Sequence, residues 1–172
     1  HLYEADAPGT DVVPGGAGVF EVDEGDEEDL SDLEALIAAA DAGGDWSDGM
    51  AAVADLTQMT RLWAVERYVS HWDGYAGELD DFRPNNYYLH SDASGVFTML
   101  PWGTDQTWGT SSTIDARVEF DESAGGLLFN ECKADASCWA LYESALEDVY
   151  ASVTGGGADF GRRASERADL LA

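Results

Sequence analysis

The feature that most limits what this chain can fold into is a change of hydrophobic period between residues 55 and 100. From about Asp55 to Ser70, Leu56, Met59, Leu62, Trp63 and Val69 fall close to one stripe, the spacing of a helix that buries one face. From Asn86 the pattern turns strand-like. Asn86 to Ser91 and Val96 to Leu100 are rich in aromatic and β-branched residues and flank Asp92-Ala93-Ser94-Gly95, a hairpin signal. Further helices are expected on both sides. Ser31-Asp32-Leu33-Glu34 reads as a capping box opening a helix with Leu33, Leu36, Ile37 and Ala40 on one face, ended by Gly43-Gly44. Ser47 or Asp48 can cap a short helix through Val53, and about Ser137 to Val153 predicts a last helix with Tyr142, Leu146, Val149 and Val153 inward, stopped by Gly155 to Gly157. Helices, hairpin and helix in that order give an α+β class, a mainly helical lobe with a small sheet.

The rest of the chain is quieter. Residues 5 to 29 combine Pro8, Pro14 and five glycines with an acidic run from Glu21 to Asp29, which reads as loop with one short strand at Gly18 to Val22. Gly15-Gly16-Ala17-Gly18 lacks both the GxGxxG pattern and a following Lys-Ser/Thr, so a plain turn is expected there rather than a phosphate loop. A long acidic stretch with Gly and Ser runs from Gly109 to Gly126. The 172 residues suffice for one core and are read as a single domain, 1–172.

Eight Lys plus Arg against 35 Asp plus Glu give 8 − 35 = −27, a charge that repels a phosphate backbone and excludes nucleic acid as a partner. Such self-repulsion is tolerated where salt screens it or divalent cations bind it, so a saline or cation-rich medium is expected. No run of about 18 apolar residues exists to span a membrane. The chain starts with His, and His1-Leu2-Tyr3-Glu4 reads as mid-domain sequence, so a truncated front, with any signal peptide lost, is expected. Cys132 and Cys138, separated by five residues, can close a small disulfide loop or remain two buried thiols; no histidine lies near enough in sequence to complete a zinc site. A disulfide would imply an exported protein.

The candidate chemistry lies between His71 and Asp105. His71-Trp72-Asp73 closes the third helix, Asn86 opens the hairpin, and Asp105 follows its second strand. Phosphoryl transfer needs a carboxylate to orient or deprotonate the attacking hydroxyl, and oxygen ligands to hold a divalent cation on the nucleotide phosphates. Protein kinases carry these groups in the same order, although here Gly74 to Pro84 lengthen the interval from Asp73 to Asn86. Two hairpin strands return entrance and exit to one end, so Asn86 and Asp105 are expected to share a cation. Each residue also has a purely structural reading: a turn cap for Asp73, satisfaction of strand-end amides for Asn86, an Asx turn for Asp105 with Thr107.

The wording around these residues resembles the CotH (spore coat protein H) kinase family. The matching runs are Leu62-Trp63-Ala64-Val65-Glu66, His71-Trp72-Asp73-Gly74-Tyr75, Asn86-Tyr87-Tyr88-Leu89 and Pro101-Trp102-Gly103-Thr104-Asp105-Gln106-Thr107-Trp108-Gly109. Leu2-Tyr3-Glu4 and Cys132 to Tyr142 also look like that family. The resemblance implies a divergent protein-kinase-like fold, of which this chain is the large lobe. It also implies Ser/Thr phosphorylation of extracytoplasmic proteins with ATP and a divalent cation, Mg²⁺, Mn²⁺ or Ca²⁺. Asp73 then matches the catalytic Asp, and Asn86 and Asp105 the metal- and nucleotide-binding pair, with Asn85 the substitute if the register is off by one. Pro101, Trp102 and Trp108 are read as packing that holds the Asp105 loop.

Two departures stand out. Gly103 occupies a position where many members have a further Asp, and the nucleotide-covering lobe with its phosphate-anchoring lysine is not recognisable. The only lysine, Lys133, sits beside Cys132. Arg61 and Arg67 are possible cationic substitutes, with ion pairs to the abundant acids as their structural reading. The alternative function is a non-catalytic exported surface or adhesion module that keeps the fold and binds a divalent cation. A plain Ca²⁺-binding domain has no EF-hand spacing behind it.

Overall fold

A computed structural model of the chain describes residues 1–5, 7–77, 84–108 and 125–154. The expected hairpin is formed by β3 (Tyr87–Ser91) and β4 (Phe97–Pro101), paired antiparallel from Tyr87 opposite Pro101 to Ser91 opposite Phe97. Its turn is made by Asp92, whose Oδ1 accepts from the Ser94 and Val96 amides at 2.7 and 3.1 Å.

The hairpin is half of a larger sheet. β1 (Leu2–Glu4) pairs antiparallel with β3, β2 (Glu21–Glu24) pairs with β1, and the strand order is β2-β1-β3-β4. Neither β1 nor β2 was expected in this place. β1 is three residues long, too short to display alternation. The predicted strand at Gly18 to Val22 is displaced to Glu21–Glu24, after a 3-10 turn at Ala17–Val19. Acidic at three of its four positions and mostly exposed, β2 has the composition of a solvated loop, which is also how a sheet protects an edge from further pairing.

The opposite edge, β4, is closed by other means. Phe97 N–H donates to the Val53 carbonyl at 2.8 Å, and Asp55 N–H donates to the Phe97 carbonyl at 2.9 Å. The Gln58 side-chain amide then serves Met99 twice, donating to its carbonyl at 2.7 Å and accepting from its N–H at 2.9 Å. A side chain thus substitutes for a fifth strand and stitches a helix to the sheet.

That helix is α3 (Leu56–Tyr68), capped by Asp55, which accepts from the Gln58 amide at 2.9 Å. Before it come α1 (Ser31–Asp41) and α2 (Trp46–Met50). The capping box expected at Ser31 does not form. Leu30 occupies the cap position, Glu34 N–H bonds to the Leu30 carbonyl, and Asp29 accepts from the Ser31 amide at 3.1 Å, so an acid upstream does the work assigned to the hydroxyl.

After the hairpin, α5 (Ala136–Thr154) buries Cys138, Tyr142 and Ala145 and packs along α3. The glycines expected to stop it, and all but the last two residues of the Gly109 to Gly126 stretch, lie outside the described residues. An eight-residue helix not anticipated from the sequence, α4 (Leu127–Ala134), precedes α5. A Cys132–Cys138 disulfide joins the two across a Cα separation of 5.1 Å. Asp135, between them, caps α5 by accepting from Ser137 and Cys138 N–H at 3.0 and 2.9 Å.

The core is a run of aromatic rings centred on Trp63, which is fully buried, stacks on Tyr75 at 6.0 Å and meets the Phe129 edge at 5.7 Å. Tyr75 continues to Tyr87 at 4.7 Å, and Phe129 to Tyr142 at 5.2 Å. Core and site therefore share residues, since Tyr75 and Tyr87 are neighbours of the segments carrying Asp73 and Asn86. Among the described residues no helix is long and apolar enough to cross a membrane.

Candidate functional site

The end of α3 aims the first site residue. Ser70 adopts φ 52°, a left-handed conformation, with its N–H on the Arg67 carbonyl and the His71 N–H on the Glu66 carbonyl at 2.8 Å. This Schellman pair of bonds stops the helix without the usual glycine and turns the chain into His71-Trp72-Asp73-Gly74. Glu66, buried in the last turns of α3, holds that turn from below by accepting from the Ala76 amide at 2.8 Å, with His71 Nδ1 3.6 Å from its other oxygen. Gly74 is required by this contact. A Cβ there would lie 2.6 Å from His71 Nδ1 and 2.7 Å from Glu66 Oε1.

Asn86 sits in the left-handed region at φ 53°, which Asn tolerates better than most residues. Its side-chain amide donates to both the carbonyl and the carboxylate Oδ2 of Asp73, each at 2.8 Å. Both partners are acceptors, so the nitrogen faces Asp73 and Oδ1 faces away. Asn85 Nδ2 lies 3.4 Å from the other Asp73 oxygen. Across the hairpin mouth, Trp102 N–H donates to the Asn86 carbonyl at 2.8 Å and Gly103, at φ 53°, leaves room for the amide. A Cβ on Gly103 would stand 2.6 Å from Asn86 Oδ1 and 2.8 Å from its Cγ. An Asp could occupy position 103 only if Asn86 swung away from Asp73, so glycine here goes with the Asp73–Asn86 bond.

Asp105 lies two residues past that contact, exposed in a turn, with Gln106 Nε2 3.2 Å from its Oδ2. Among the described residues no hydrogen bond joins it to Asp73 or Asn86. Hydrogen bonds therefore join Asp73, Asn85 and Asn86, and the exposed Asp105 carboxylate lies outside that network. Trp102 and Trp108, expected as packing that holds the Asp105 loop, lie at the surface. They are 57% and 61% exposed, each braced at the edge of a tyrosine ring, Tyr88 and Tyr68 respectively.

The candidate cations divide by burial. Arg67 is buried with its guanidinium 4.7 Å over the Phe129 ring, a structural placement, whereas Arg61 is exposed on α3 and Lys133 stands in the last turn of α4. Among the described residues no group of three His, Cys, Asp or Glu side chains is placed to hold a metal ion. The oxygens that fit a hard divalent cation are Asn86 Oδ1, which the Asp73 bonds leave free, and the exposed Asp105 carboxylate.

The sequence marks Gly103 only as a departure from the family pattern and Glu66 only as part of a family-like run, not as the supports of Asp73 and Asn86 that they form here. Glu66 lies in an ordinary helical stripe, and the signal for Gly103 is the glycine itself at a strand exit.

The electrostatics give one pH prediction. Burial alone would push the His71 ring down, but the charge of Glu66, the Gly103 backbone and the Asp73 carboxylate outweigh it and hold its pKa above the ordinary value. A raised folded-state pKa stabilises the protein fully below the unfolded value of about 6.5, and this contribution is lost as pH rises through the folded one. Urea unfolding at pH steps from about 6 to 8.5 is therefore expected to show a decline in the wild type that His71→Asn lacks. Equal slopes would count against the Glu66–His71 pairing.

A family model described as CotH kinase protein matches residues 12–153 of the chain. Among curated proteins and among solved structures, none matches it.

Proposed function

The chain belongs to the CotH kinase protein family, and from that premise we propose that it is the base- and metal-bearing lobe of an ATP-dependent protein kinase, with a divergent protein-kinase-like fold. The observation that carries this reading is the pair of hydrogen bonds that the Asn86 amide donates to the carbonyl and carboxylate of Asp73. It fixes a carboxylate at the hairpin mouth and turns an amide oxygen outward beside Gly103.

In the proposed reaction, Asp73 orients a Ser or Thr hydroxyl and accepts its proton. The hydroxyl oxygen forms the new bond to the γ-phosphorus, the bond to the bridging oxygen breaks, and the nucleoside diphosphate leaves. Asn86 holds Asp73 and, with Asp105, supplies oxygens for a divalent cation, Mg²⁺, Mn²⁺ or Ca²⁺. When bound, that cation neutralises charge on the phosphates. The phosphate-anchoring cation and the lobe that covers the nucleotide belong to other parts of the protein in this reading. The Cys132–Cys138 disulfide agrees with an oxidising, extracytoplasmic setting and so with secreted or surface proteins as substrates.

The test is incorporation of labelled γ-phosphate by the protein that contains this chain. Asp105→Ala is expected to lower it by about a hundredfold, since a lost cation ligand costs several kcal/mol of charge stabilisation. Equal incorporation by both proteins would sink the proposal.

One observation favours a second reading. The Asp105 carboxylate is exposed and lies outside the hydrogen bonds that join Asp73, Asn85 and Asn86, as suits an exported surface module that binds a cation without transferring phosphate. Calorimetric binding of a divalent cation by wild type but not by Asp105→Ala, with no incorporation by either, would select that module.

A further inference from the structure

A carboxylate far from the candidate site in sequence is built into its foundations. Asp11 lies in the Gly- and Pro-containing loop between β1 and β2, yet it is only 8% exposed. Burying a carboxylate costs several kcal/mol unless its oxygens are satisfied, so its partners define what it is kept for. Oδ1 accepts from the Tyr75 hydroxyl at 3.0 Å and from the Val12 amide at 2.8 Å; Oδ2 accepts from the Leu127 amide at 2.8 Å. Burial raises the Asp11 pKa, and these three bonds to its neighbours act mainly to draw it back down.

Two of these connections lead to the site. Tyr75 is two residues past Asp73, and its hydroxyl, after donating to Asp11, accepts from the Leu128 amide at 2.9 Å. Tyr87 follows Asn86 directly, and its hydroxyl donates to the carbonyl of Thr10, the residue before Asp11, at 2.8 Å. The two tyrosine rings meet edge to face at 4.7 Å. The Thr10-Asp11 dipeptide thus holds, through one tyrosine each, the segment that carries Asp73 and the segment that carries Asn86. A mere cap on α4 would need only the bond to Leu127.

We propose that Asp11 is a positioning residue for the Asp73–Asn86 pair, acting through Tyr75 on one side and through Thr10 and Tyr87 on the other. The proposal rests on the kinase reading for its effect on rate, but its geometric content stands without it. A carboxylate fixed at both flanks keeps its distance to the attacking hydroxyl, and displacement of a reacting group by about 1 Å costs on the order of a hundredfold in rate.

The experiment compares Tyr75→Phe, which keeps the ring and removes only the hydroxyl, with Asp11→Asn, in the full-length protein. The primary readout is the NMR signal of the Asn86 side-chain amide, which its two bonds to Asp73 set apart from that of a free amide. In both variants it is expected to move toward the free-amide position, and kcat for phosphate transfer to fall about tenfold with the nucleotide KM little changed. Folded variants whose Asn86 signal stays in place while the Leu127 and Leu128 amides move would overturn the proposal, leaving Asp11 as a cap for α4. If Asp11→Asn does not fold, Tyr75→Phe decides by the same two signals. A wild type that transfers no phosphate removes the kinase reading and leaves the NMR comparison intact.

Discussion

Asp73→Asn is expected to lower phosphoryl transfer by about 10²- to 10⁴-fold, the range set by loss of a positioned general base. The substitution is close to isosteric. The Asp73 main-chain carbonyl, which accepts one of the two Asn86 bonds, is untouched, and the new side-chain oxygen can still serve one of the two asparagines that flank it. What disappears is the negative charge and the ability to take a proton, so folding and cation binding are expected to survive while turnover does not. The measurement is single-turnover phosphate transfer beside a thermal unfolding scan of the same preparation. Wild-type turnover in Asp73→Asn would move the base elsewhere, and a large fall in melting temperature would make Asp73 a structural cap instead.

The largest effect on stability is expected at Trp63. Trp63→Ala should cost about 3–5 kcal/mol, the usual range for removing a buried aromatic ring. That is a large share of the roughly 5–15 kcal/mol that holds a domain of this kind together. Trp63 stacks on Tyr75, meets Phe129 edge-on and places its indole N–H 3.5 Å from the Met99 sulfur, so one deletion loosens α3, β4 and the turn after Asp73 together. The urea midpoint should fall with an unchanged slope, the sign of lost stability without a new intermediate. A loss under about 1 kcal/mol would mean that the core closes over the gap, contrary to the close packing of such interiors.

How far the site was legible depends on how local its determinants are. Asp73, Asn86 and Asp105 were legible as candidates because each precedes or follows an element whose period is visible in the chain. The Asn86 bond to Asp73 was not, since it depends on two left-handed residues, Asn86 and Gly103, that bring an amide between the two turns. A hairpin and one short strand near Gly18 to Val22 were foreseen where a four-stranded sheet exists, because β1 is too short to show alternation and β2 is nearly all acid. The exposed tryptophans misled in the opposite direction. Aromatic residues beside the Asp105 turn suggest packing, but Trp102 and Trp108 are more than half exposed, each against the edge of a tyrosine ring.

By itself the sequence determined the buried face of α1, the positions of α3, α5 and the hairpin, a cysteine spacing short enough to close, and the family-like wording from His71 to Asp105. These are properties of residues within a few turns of one another, where helical and strand periods and turn chemistry act. Only the tertiary structure decided that Gln58 closes the β4 edge, that Gly103 makes room for Asn86, and that Asp11 reaches Tyr75 and Leu127. Each of these contacts joins residues well separated along the chain. Their bonding groups become partners only once the aromatic core has excluded water and left them no other donor or acceptor.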